Sequence, residues 1–248
     1  MADPTCRRLV FLDFDGVICD SLPECFAVSR AAYFGLYLGG GIPEPGPDDE
    51  RTFRRLRPFI RRGGDYLFIQ HCLQNNLVIE SQKDFDAVMN DNRSLDDAFH
   101  ELFYKARREL LGSDPRRWHA LNPLYPGMKQ ILRNHGADGD TLILSTKEAD
   151  FIEKILAFNE IPWDSNRIYC SGKERKLGFI DRVMDELGAG QAVFVDDQID
   201  HFKGASAHPV RCLLADWGYV LPGWIEAAKG EPARVQTVSL SALESVFA

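Results

Sequence analysis

At 248 residues with 45% hydrophobic side chains, the chain is long enough to bury a sizeable core and to hold one large domain or a core with a smaller insertion. A formal charge of −8 argues against a general nucleic-acid binder, so any anion site has to be local. No apolar run approaches the roughly 20 residues of a membrane-spanning helix. The six cysteines, Cys6, Cys19, Cys25, Cys72, Cys170 and Cys212, contain no CxxC pair. The sequence therefore predicts a soluble, cytoplasmic protein with reduced thiols and no zinc site.

The first predicted element is the apolar run RLVFL, which ends in DFDG, two aspartates one residue apart followed by Gly16. From residue 21 to about 124 only helix patterns follow: ECFAVSRAAYFGLYL, ERTFRRLRPFI and LDDAFHELFYKARRELL. About a hundred residues are too many for a loop and enough for a helical insertion. Within it, GGGIPEPGPDDE from Gly39 to Glu50 reads as a mobile connection. Tyr33, Tyr66, Phe68 and His71 read as its core.

After residue 124 the pattern changes. TLILS, AVFVD and RCLLAD are short runs of branched aliphatics ending in polar residues, as parallel strands buried on both faces do. Between them lie the helix patterns TKEADFIEKILAFNE and ERKLGFIDRVMDELG, the second closed by Gly188. The predicted fold is a doubly wound, Rossmann-like α/β parallel sheet formed by residues 1–20 and 125–248, with an inserted α-helical domain over 21–124.

In open α/β sheets ligands bind beyond the carboxyl ends of the strands. The runs deliver Asp13 and Asp15, Ser145, and Asp196 with Asp197 at that edge. Positions i and i+2 of a strand point the same way, so Asp13 and Asp15 both face the crevice. Two carboxylates so close repel unless a cation or a shared proton intervenes. Magnesium, which prefers oxygen ligands, fits a set drawn from Asp13, Asp15, Asp197 and Asp196. Gly16 frees the backbone for a tight turn whose amides can approach phosphoryl oxygens.

The motifs DFDGV, LST, a downstream lysine and VDD, in that order, resemble the four motifs of the haloacid dehalogenase-like hydrolase superfamily. ADWGYVLPG, Ala215 to Gly223, resembles the stretch after the last core strand in phosphoglycolate phosphatase-like members. A branch of phosphoglycolate phosphatase-like and beta-phosphoglucomutase-like proteins with a helical cap is the nearest pattern. The resemblance implies that Asp13 attacks phosphorus to give an aspartyl-phosphate, and that Asp15 protonates the leaving oxygen and then activates water. It implies that Ser145 holds a phosphoryl oxygen, with Thr146 and Lys147 opening the helix beside it, and that a lysine balances charge. Lys176, which opens a helical pattern, is favoured over Lys173. Asp200 has an orienting role at most. The second aspartate sets carbon–halogen cleavage aside.

The expected activity is a magnesium-dependent phosphatase acting on a small phosphorylated metabolite. A phosphomutase using the same site, or a non-catalytic regulatory member of the fold, is the alternative. The resemblance gives substrate choice to the cap. There RTFRRLRPFIRR carries Arg51, Arg54, Arg55, Arg57, Arg61 and Arg62, either a solvated helix face or a meeting point for a second anionic group. Arg54 and Arg55 are the candidates.

Overall fold

The computed structural model describes residues 7–172, 174–231 and 233–247, so Cys6 and Lys173 lie outside it. Contacts divide the chain into two compact units, Met1–Asp20 with Leu124–Ala248, and Ser21–Pro123. Among the described residues no helix is long and apolar enough to cross a membrane.

The first unit is built on a six-stranded sheet of order β3-β2-β1-β4-β5-β6, every pair parallel. The strands are β1 Arg8–Leu12, β2 Thr141–Ser145, β3 Ile168–Cys170, β4 Gln191–Asp196, β5 Val210–Ala215 and β6 Val235–Val238. The four predicted runs form β1, β2, β4 and β5. The outer strands β3 and β6 were not among those runs, since IYC and VQTV are too short and too half-exposed to show a buried-strand pattern.

The order of strands reverses between β1 and β4, and that is where a crevice opens at the carboxyl edge of such a sheet. The register pairs Leu12 with Val195, and the Asp13 amide donates to the Val195 carbonyl at 2.9 Å. The residues that follow β1 therefore stand directly beside the end of β4.

One face of the sheet is covered by the helix Lys176–Leu187, numbered α9 in the order given below. Leu177, Ile180, Val183 and Met184 recur at helical spacing and pack on Leu9, Phe11, Leu142, Phe194 and Leu214. The helix stops at Gly188, whose φ of 64° is the left-handed end that glycine accepts without strain. This packing fixes the opposite end of the helix, and so the position of Lys176.

The second unit contains α1 Leu22–Arg30, α2 Asp49–Leu56, α3 Asp65–Gln74, α4 Gln82–Asp91, α5 Asp96–Ser113 and α6 Pro115–Ala120. The first unit adds α7 Met128–His135, α8 Ala149–Phe158, α9 and α10 Pro222–Gly230. No strand occurs among residues 21–123. The segment predicted as one helix from Glu24 changes to a π-helix over Ala31–Tyr37, whose wider turn accompanies burial of three successive residues, Ala32, Tyr33 and Phe34. Gly39–Asp48 forms no regular element.

Helix α3 escaped the sequence reading because it is buried almost all round. Tyr66, Leu67, Phe68, Ile69 and Cys72 are all interior, so no single apolar stripe marks it. Tyr33, Tyr66 and Phe68 are indeed core, and the Tyr33 hydroxyl meets His71 Nδ1 at 3.1 Å. The same unit buries a charged knot. Arg107 donates to both oxygens of Glu24 at 2.8 and 2.7 Å, and Trp118 Nε1 adds a third bond to Glu24 at 3.2 Å.

Candidate active site

Asp13 begins the turn after β1. Its Oδ1 accepts the Phe14 amide at 2.7 Å and faces Lys176 Nζ at 3.0 Å. Phe14 is fully buried behind it. The turn closes through the Ile18 and Cys19 amides, which donate to the Phe14 carbonyl, and through the Gly16 amide, which donates to the Cys19 carbonyl at 2.9 Å.

Gly16 lies in this tight turn and gives its own amide to it. What the position requires is the absence of a side chain: φ is +92°, and a Cβ there would stand 2.0 Å from Asp197 Oδ2. Gly218 closes on Asp197 from another side, where a Cβ would lie 2.4 Å from the Asp197 Cβ.

The Asp15 carboxylate receives Lys147 Nζ at 2.7 Å. The sequence predicts Lys147 as a helix-opening residue, in a simple first turn or in direct contact with the phosphate. The structure buries its side chain, holds its ammonium 5.7 Å from the centre of the Phe14 ring, and directs it to Asp15. Two lysines reach the acidic pair, one for each aspartate.

Ser145 ends β2 fully buried, and its Oγ accepts the Lys147 amide at 3.3 Å. Thr146 is half-buried next to it. Lys176, the favoured lysine, opens α9 with its aliphatic stem buried. A cation at a helix N-terminus is opposed by the helix dipole. Here two carboxylates offset that, Asp196 Oδ2 at 2.7 Å and Asp13 Oδ1 at 3.0 Å.

Asp196 ends β4 fully buried. Its Oδ1 accepts the Gln198 amide at 2.8 Å, and its Oδ2 accepts both Lys176 Nζ at 2.7 Å and His201 Nδ1 at 2.8 Å. Asp13, Asp196 and His201 do offer donor atoms within 4.8 Å of one another. Asp196 thus anchors Lys176 while standing within that same group of possible metal ligands. Asp200 pairs with Lys203 instead. The residue of that turn that reaches the site is His201, which the search for acidic residues overlooked.

Asp197 Oδ2 accepts the Tyr219 amide at 2.8 Å, and the Tyr219 hydroxyl donates to Asp20 Oδ1 at 2.7 Å. Trp217 Nε1 donates to the Val17 carbonyl at 3.1 Å. The stretch ADWGYVLPG is thus sewn to the β1 turn at several points.

The electrostatics follow from this arrangement. Burial pushes the Asp13 carboxyl above the usual range; Lys176 and His201 oppose that push while Asp196 and Asp15 reinforce it. Asp196 suffers the same burial, but His201 and Lys176 outweigh it and hold its carboxyl well below that range. Burial works against the Lys176 ammonium, and Asp13 and Asp196 more than restore it. Asp13, Asp15 and Asp196 pair with Lys147 and Lys176, and Asp197 follows Asp196 at the end of β4, an excess of acid over lysine that a hard divalent cation suits.

The arginine candidates separate. Arg55 donates to the Ile79 carbonyl at 2.6 Å. Arg54 lines a cavity of about 570 Å³ inside the helical unit, together with Arg30 and Arg117.

The fold is shared with solved structures, some of them described as haloacid dehalogenase-like hydrolases. No protein-family model matches the chain. A Haemophilus somnus structure described as a predicted phosphoglycolate phosphatase superposes with a TM-score of 0.62 at 15% identity, covering 100% of both chains. A haloacid dehalogenase-like family hydrolase of Streptococcus pneumoniae gives 0.57 at 17% identity over 99% of each. In sequence, the chain is 23% identical over 219 residues to the phosphoglycolate phosphatase of Pseudomonas fluorescens Pf0-1, covering 86% of this chain and 70% of the relative. With the Pseudomonas putida phosphoglycolate phosphatase it shares 24% over 226 residues, 87% of this chain and 71% of the relative.

Proposed function

We propose that the chain is a phosphoric monoester hydrolase that uses magnesium and forms a phosphoryl-enzyme on Asp13. The observation that carries this reading is the Lys176 ammonium, buried and bonded to Asp13 at the crevice between β1 and β4. A dianionic phosphate cannot approach a carboxylate nucleophile without such a charge beside it.

In the first half-reaction an Asp13 oxygen bonds to phosphorus, the bond from phosphorus to the leaving oxygen breaks, and Asp15 passes a proton to that oxygen. In the second, Asp15 takes a proton from water as the water oxygen bonds to phosphorus, which frees phosphate and restores Asp13. Lys147 holds the Asp15 carboxylate in place, and Ser145 steadies a phosphoryl oxygen with Thr146 beside it. Asp13, Asp15 and Asp197 would hold a magnesium ion, which would supply charge to offset that of the phosphoryl group.

Residues 21–124 act as the cap that selects the substrate, a small phosphorylated metabolite. The similarity to proteins named phosphoglycolate phosphatases puts phosphoglycolate first among candidates. A soluble cytoplasmic setting accords with Cys72, Cys170 and Cys212 standing outside any disulfide.

The test is release of inorganic phosphate from phosphoglycolate, sugar phosphates and nucleoside monophosphates, with magnesium and after chelation. Release that ignores chelation rules out the metal. Isomerised phosphosugar without free phosphate points to a mutase.

A further inference from the structure

Lys176 has two carboxylate partners, and the closer is Asp196 at 2.7 Å, not Asp13 at 3.0 Å. A buried ammonium drawn fully to Asp196 would be a poor partner for the nucleophile and for a phosphoryl group on it. What limits that pull is the number of other donors on Asp196. The Gln198 amide holds Oδ1, and His201 Nδ1 donates to the same Oδ2 that receives Lys176.

His201 is well placed for this. It sits on the short helical turn Ile199–Phe202 that follows β4. The turn is pinned by Phe202, buried and edge-on to Phe194 of β4 at 5.4 Å. The imidazole is about four-fifths covered, and Asp196 is fully buried, so the bond between them is shielded from water.

Resting on the phosphatase reading, we propose that His201 is a positioning residue that acts through Asp196: by sharing the Asp196 charge it leaves the Lys176 ammonium directed at Asp13 and the phosphoryl group. His201 neither touches substrate nor binds the metal. Partners of this kind, one bond removed from the reacting groups, change activity by roughly 10- to 100-fold when removed.

The experiment compares wild type, His201→Ala and His201→Asn, whose amide can still donate to Asp196. Steady-state hydrolysis of an aryl phosphate is measured beside magnesium binding by calorimetry and thermal unfolding. His201→Ala is expected to lower kcat about tenfold with KM within about threefold of wild type, and His201→Asn to recover most of the loss. The magnesium dissociation constant is expected to stay within about threefold in both, because the imidazole is not a ligand.

An unchanged kcat in His201→Ala overturns the proposal. So does a loss of magnesium affinity of about tenfold, which would make His201 a ligand. An equal fall in His201→Ala and His201→Asn, tracking their unfolding temperatures, reduces the residue to a packing role and overturns it as well. Failure of the phosphatase reading itself looks different, since wild type would then release no phosphate and the inference falls with it.

Discussion

The Lys147 ammonium lies 2.7 Å from Asp15 Oδ1, although 132 residues separate the two in the chain. Asp13 and Asp15 are thus served by different lysines, arriving from the ends of β2 and the start of α9. The division matches the two roles assigned to the aspartates.

If Lys147 positions Asp15, its removal should impair proton transfer more than binding. Lys147→Met is expected to lower kcat by roughly 10- to 100-fold while KM changes little. Steady-state kinetics on an aryl phosphate read both constants. A loss confined to KM would show instead that Lys147 binds substrate.

The buried Arg107–Glu24 pair makes a prediction about stability. Arg107→Met strands an uncompensated carboxylate in the helical unit, and is expected to cost about 3–5 kcal/mol. Exchanging both partners for apolar residues, Arg107→Met with Glu24→Met, is expected to recover most of that. Urea unfolding of the single and double variants measures the difference, and additive losses would contradict the pairing.

Asp65 gives a pH-dependent prediction. Burial pushes its carboxyl up, against the Arg61 and Arg62 amides and the Arg62 guanidinium that lower it. A carboxyl raised in the folded state binds its proton more tightly there than in the unfolded chain, whose value is about 3.9. Its effect on stability is therefore most favourable below pH of about 4 and worsens as pH rises through the folded value. Asp65→Asn, still able to accept both amides, is expected to unfold at a higher temperature than wild type at pH 7, with the gap closing toward pH 4. A gap that widens on acidification would reverse the sign.

The thiols should separate by reactivity. Burial pushes Cys72 and Cys212 up to about 11, whereas Cys170 is exposed at the end of β3. Alkylation of native protein at pH 8, read by peptide mass spectrometry, is expected to modify Cys170 and to spare Cys72 and Cys212 until the chain is unfolded.

Much of this site was readable from DFDG, LST and VDD, because strand ends at the carboxyl edge of a parallel sheet must converge and a short motif at each end suffices to mark them. Lys176 was readable because it opens an amphipathic helix. His201 was not, since its contact with Asp196 depends on a turn closed by Phe202, which sequence spacing does not specify. Lys147 looked like an ordinary first-turn residue until the β1 turn brought Asp15 to it. Gly16 was readable as a turn residue, whereas the room it leaves to Asp197 depends on the end of β4 lying beside it. The bond from Asp196 to Lys176 was not readable, because a carboxylate that binds a metal and one that anchors a lysine look alike in sequence. In the helical unit α3 was lost in its own hydrophobicity, and Arg54 and Arg55, adjacent in sequence, proved to point to different surroundings.

The central claim is that Asp13 is the nucleophile. Its most direct measurement is phosphate release from an aryl phosphate by wild type and by Asp13→Asn, with magnesium, at equal folded concentrations. The account predicts ready turnover by wild type and a loss of at least about 10³-fold in the variant, with its fold intact by circular dichroism. Equal rates from the two proteins would contradict it.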